Sequence, residues 1–111
     1  MQKTSLTALA RTELTSALAA SSGRSAKTVY GGHEHQLRQT LIALRSGEAL
    51  AEHQNPGEAT VLVIHGRVVL ASGENSWSGW DGDLLIVPDA PHSLTAEADT
   101  VVLLTVVKLA Q

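Results

Sequence analysis

At 111 residues, with 43% hydrophobic and 17% charged side chains, the chain is long enough for one compact core, too short for two, and too apolar to be disordered. Eight Lys and Arg against eleven Asp and Glu leave a net charge of −3 with no basic cluster, and one Tyr, two Trp and no Phe offer little for base stacking, so nucleic acid is not an expected partner. Zero cysteines remove disulfides, thiolate nucleophiles and thiolate ligands, leaving His, Asp, Glu and Asn as the available metal donors.

Between Ser5 and Ala20 the apolar positions Leu6, Leu9, Ala10, Leu14, Ala17 and Leu18 recur at helical spacing, with Thr4 or Ser5 available as N-cap and Gly23 as a stop. One amphipathic helix is expected, its apolar stripe covering either the rest of its own chain or a second subunit. Arg11 and Glu13 interrupt the apolar run, so neither a signal peptide nor a spanning helix is read. The expectation is a cytoplasmic protein without a membrane partner. Residues 1–24 are read as helix and linker, and 25–111 as one β-domain.

After Ser21-Ser22-Gly23 the pattern changes to short runs rich in Val, Leu, Ile and Thr, separated by turn signals such as Ser46-Gly47, His65-Gly66, Ser72-Gly73 and Asp81-Gly82. Strands are expected over 26–30, 36–45, 49–53, 60–64, 67–71, 84–87, 91–96 and 100–108, which is the rhythm of a sandwich or barrel. Residues 61–64 and 101–104 are apolar on both faces and therefore need cover outside as well as inside. A homodimer is expected on that ground.

Two stretches share a punctuation. Gly47 is followed by His53, Asn55 and Gly66, and Gly82 by Pro88 and His92. The pair resembles the bipartite signature of the cupins, small β-barrels in which histidines from both motifs usually meet at one metal. The first motif matches in length and in both glycines, with Asn55 and Ala59 standing where the family has a second histidine and a glutamate. The second matches except that Ala90 replaces a glycine and the approach to His92 is one residue shorter. The likeness spans roughly two thirds of the chain, at the specificity of a motif match. It implies an all-β fold, a cupin double-stranded β-helix or jelly-roll barrel of the small bacterial, RmlC-like kind, behind one N-terminal helix.

Period-two geometry bears on the same residues. In residues 49–55, Ala49, Ala51, His53 and Asn55 share one face and Glu48, Leu50 and Glu52 the other, while His92, Leu94 and Ala96 share a face opposite Ser93 and Thr95. The expectation is that His53 and His92 point inward, beside small side chains that leave room for a ligand. A non-haem metal shell usually needs three protein donors. His53 and His92 are two, so one divalent Fe, Mn, Ni or Zn would need Asn55, Glu58, His33 or His35 to complete it. His33 and His35 are two apart and project together if extended; Gln39 shares their parity and would line the same pocket. His65 is read as an exposed loop residue, and Trp77 and Trp80 as interface or barrel-end packing. There is no Gly-x-Ser-x-Gly and no phosphate-binding glycine loop.

The leading functional expectation is a small-molecule-binding cupin whose ligand, polar or anionic, meets His53, Asn55, His92 and Gln39 without a full metal site. A metal-dependent enzyme of dioxygenase or isomerase type on His53 and His92 is the second reading. The third is a non-catalytic dimeric sensor or interaction module. Fold resemblance alone does not choose among them.

Overall fold

The computed structural model describes residues 2–54 and 57–108, with His53 described by its backbone alone. It opens with α1 (Leu6–Ala19), capped by Ser5, whose hydroxyl accepts the Ala8 N–H at 3.2 Å. Nine strands follow: β1 (Arg24–Tyr30), β2 (Leu37–Leu44), β3 (Ala49–His53), β4 (Gly57–His65), β5 (Arg67–Ser72), β6 (Asn75–Trp80), β7 (Leu84–Ile86), β8 (His92–Ala96) and β9 (Thr100–Lys108). They form a five-stranded antiparallel sheet in the order β1-β2-β9-β4-β7 and a four-stranded one in the order β3-β8-β5-β6.

Strand alternation builds two cores on either side of the larger sheet. Ile42, Leu44, Val61, Val63 and Val102 face Val68, Leu70, Leu94 and Ala96 of the smaller sheet and fill the space between them. Leu41, Ala43, Val101 and Leu103, the alternate residues, turn outward and pack against Ala10 and Ala17 of α1, with Leu62 and Ile64 beside them. The doubly apolar strands thus find their second cover within the same chain. The helix carries its own polar anchor on β1, where the Ser25 hydroxyl donates to the Glu13 carboxylate at 2.6 Å.

Two local expectations are corrected. Residues 75–80, which lie outside the strands expected from sequence, form strand β6, paired with β5 from Arg67↔Trp80 to Ser72↔Asn75. Its serines and Gly79 conceal a strand that packs closely at its glycine: a Cβ there would stand 3.0 Å from Leu85 and 3.1 Å from Val63, so those side chains would have to shift by a few tenths of an ångström. In β3, Leu50 and not Ala51 faces the core, because Leu50 pairs with Leu94 and a bulge follows before His53 pairs with His92. The extra residue breaks the simple alternation expected over 49–55.

Candidate functional site

The site grows from the end of the barrel where β3 finishes and β8 begins. His92 is the first residue of β8, 4% exposed, and shares its face with buried Leu94 and Ala96, as its parity requires. Its Nδ1 lies 2.8 Å from the Ala90 carbonyl. A carbonyl only accepts, so Nδ1 carries the proton in this contact, and in the neutral ring Nε2 is then the acceptor. Across the β3–β8 ladder, the bulge seats the His53 backbone directly opposite His92. The side chain of His53, and Asn55 altogether, lie outside the described residues.

Beneath His92 the barrel is nearly full. The space among Leu50, Leu70, Leu94, Val102 and Leu104 amounts to about 20 Å³, which is room for one water at most. A much larger open groove, about 630 Å³, runs along β4 and β7 past Ala59, Thr60, Ile86 and Val87. Val87 lines both spaces, so the groove opens beside the mouth of the barrel. Asp89, on the same rim, accepts from the Gln54 side chain at 3.5 Å.

Superposition on solved structures decides the architecture. A cupin-superfamily protein from Desulfitobacterium hafniense matches with a TM-score of 0.71 at 16% identity, over 78% of this chain and 78% of that one. This chain has the cupin fold. The protein TT1209 from Thermus thermophilus matches the cupin barrel and its leading helix together, with a TM-score of 0.76 at 23% identity over 98% of this chain and 100% of the other. A salicylate 1,2-dioxygenase from Pseudoaminobacter salicylatoxidans, in mutant form, matches with a TM-score of 0.75 at 21% identity, over 89% of this chain but 34% of its own length. No protein-family model and no curated protein matches the sequence.

Within the cupin barrel the expected donors do not come together among the described residues. Ala59 is buried on the inner face, where the resemblance would place a glutamate, and Glu58 lies exposed on the opposite face of β4. His33 and His35 sit exposed in the turn between β1 and β2 rather than on an extended strand, and the His35 ring stacks on Tyr30 at 5.2 Å between centroids. Gln39 is corrected too. It shares the outer face with Leu41 and Ala43 and donates to the Thr105 hydroxyl at 3.3 Å, so it does not line the interior. No group of three His, Asp or Glu able to hold a metal is present among the described residues. Among the described residues the donors do not make up a standard cupin metal centre.

Two further expectations concern the surface. His65 is exposed as expected, 3.7 Å from the Asp81 carboxylate. Trp77 and Trp80 lie on β6, both more than two-fifths exposed, and the Arg67 guanidinium covers the Trp80 ring at 5.0 Å. One mouth residue escaped the sequence reading: Arg38 stands on the inner-face parity of β2, as Ile42 and Leu44 do, at the same end as Ala59. Its spacing to those two residues was the available signal.

No described helix is long and apolar enough to cross a membrane.

Proposed function

We propose that this protein binds a small polar molecule at the mouth of the barrel, with His92, His53 and Asn55 as the recognising groups and without a standard metal centre. The observation that carries the reading is the cross-strand pairing of His53 with His92 at the one end where a buried imidazole meets an otherwise aliphatic interior. Convergent polar groups at the rim of an apolar pocket are the usual form of a small-molecule site. The small space below His92 keeps the ligand in the mouth rather than in the barrel. The interior histidine is also what the sensor reading leaves unexplained.

The test is a titration of backbone amide resonances with a panel of small neutral and charged organic molecules. Binders should move Ala90, His92 and their neighbours, and His92→Gln should weaken them about three- to tenfold, the worth of one ordinary hydrogen bond. If every binder is indifferent to His92→Gln, the reading is wrong. Elemental analysis of protein purified without a histidine tag separates it from the metal enzyme. Stoichiometric Fe, Mn, Ni or Zn, lost in a His53→Ala, His92→Ala double variant, would establish the enzyme reading instead.

The same proposal takes the protein as a homodimer. Beyond the edge of α1, the outer face of the larger sheet presents Leu37, Val107, Leu84 and Ile86, the last two 57% and 69% exposed. Between them runs the uncharged row Gln39, Thr105 and Thr60, in register across β2, β9 and β4. About a two-fold axis along β9, the row of Gln39, Thr105 and Thr60 meets its own copy, uncharged on uncharged. Exposed aliphatic side chains gathered on one face are a common mark of such contacts.

A further inference from the structure

At the closed end of the barrel, away from His92, α1 and the larger sheet leave a groove between them. The helix packs over β1 and β2 and reaches β9 at its margin, so the outer face of β4, next in the sheet, lies beside the helix rather than beneath it. The groove has a volume of about 390 Å³, within the range of small-molecule sites. One wall is the helix stripe Thr7, Ala10, Arg11 and Leu14, the floor is Val101 of β9, and the other wall is Ile64 and His65 at the end of β4. Ile64 and Val101 stand four residues along their strands from Thr60 and Thr105, roughly 13 Å away, so the groove is separate from the central row of the proposed dimer.

A β-bulge builds the far wall. Val63 pairs with Val102 and His65 with Val101, which leaves one extra residue in β4 at this point. Successive residues of a regular strand face opposite ways, and His65 would then share the inward parity of Val63. The bulge instead brings His65 to the side of Ile64, and both line the groove while Val63 stays in the barrel core. Asp81 stands behind the imidazole, its Oδ2 3.7 Å from Nδ1 and its Oδ1 accepting the Gly66 N–H at 2.6 Å. At 3.7 Å Nδ1 is not hydrogen-bonded to it, so the ring is free to carry its proton on Nε2 and donate there.

Arg11 supplies the charge of the helix wall. Lys3, Lys27 and Arg38 also have no ion pair among the described residues, so it is not a missing partner that marks Arg11 but its place on a cavity with an aliphatic floor. Among the described residues no carboxylate lines this groove. Glu13, two residues on from Arg11, is turned to the β1 side of the helix, where it accepts the Ser25 hydroxyl. We infer that the groove is a second binding site, for a small monocarboxylic acid with an apolar body. Arg11 holds the carboxylate, His65 donates to it from the facing wall, and Ala10, Leu14, Ile64 and Val101 receive the apolar part. A planar carboxylate matches the guanidinium fork, and the aliphatic floor matches the body behind it. The site is independent of the one proposed at the mouth.

The test compares 3-phenylpropionate, its uncharged isostere 3-phenylpropanamide, and inorganic phosphate, by amide-resonance titration of the wild-type chain, Arg11→Gln, Arg11→Lys and Thr7→Phe. The acid should shift Arg11, Leu14, His65 and Val101, the amide and phosphate should each bind at least tenfold more weakly, and added salt should weaken the acid. Arg11→Gln should reduce affinity for the acid about tenfold, Arg11→Lys should recover part of it, and Thr7→Phe should weaken it by filling the groove from its rim. Thr7 and Arg11 are exposed on the helix, and a thermal melt unchanged from wild type confirms that the variants fold. The inference is overturned if Arg11→Gln or Thr7→Phe binds the acid like wild type, if the amide or phosphate binds as tightly as the acid, or if the acid shifts none of the four residues. Shifts confined to Ala90, His92 and their neighbours overturn this site while supporting the reading at the mouth.

Discussion

Gly66, between β4 and β5, shows how a single residue sets the closed end of the barrel. Its φ of +107° is a conformation that side-chain-bearing residues rarely adopt. A methyl group there would fall on the Thr100 hydroxyl and within 2.5 Å of the Asp99 carbonyl. That hydroxyl is fully buried and ties the starts of β5 and β9 to the bend between β8 and β9, accepting the Arg67 N–H at 3.1 Å and lying 2.8 Å from the Ala98 carbonyl. Gly66→Ala should therefore cost about 2–3 kcal/mol, strain and displaced hydrogen bonds together, read as a lower urea midpoint. The sequence announced this glycine through its place at the end of the first motif. It announced His92 equally well, because three alternating residues on an unbroken strand share one fate. Gln39 misled because its parity was counted from His35 across a turn, where alternation has no meaning. Arg38 went unread for the complementary reason: an exposed arginine at a strand end looks ordinary until the facing row is known.

At the scale of elements, α1 is a cover for strands that are apolar on both sides. Its contact surface uses alanines, Ala10 at 7% and Ala17 at 0% exposure, so the helix backbone lies close against β2 and β9. Close approach leaves no room for growth. Ala17→Leu should destabilise the protein by about 1–3 kcal/mol through overpacking, seen as a lowered melting temperature with secondary structure retained below it. The helix and most strands were legible because their periodicities are strong and uninterrupted. Which surface the helix covers was not, since an apolar stripe specifies burial but not the identity of the partner. Strand β6 was hidden by composition: Asn75-Ser-Trp-Ser-Gly-Trp80 carries little β-branched signal, and its pairing with β5 is a tertiary fact.

For the whole molecule, the larger sheet serves two cores at once, one toward the barrel and one toward α1. Destabilising either should loosen both, so unfolding is expected to be one cooperative transition. The part of the outer face that α1 leaves bare belongs to the proposed dimer. Light scattering at high micromolar concentration should give twice the chain mass of 11.7 kDa, and an Ile86→Asp, Val107→Asp pair should return the monomer with its circular dichroism unchanged. A wild-type monomer under those conditions would remove the dimer.

The bulge in β3 has a consequence for how such sites diverge. Because Leu50 is held opposite Leu94, the spare residue after it decides which residue stands opposite His92. Ironing out the bulge with the sequence unchanged would set Glu52 in that register position in place of His53, without a single substitution. Slippage by one residue, rather than mutation, is thus the shortest route from this mouth to a different chemistry.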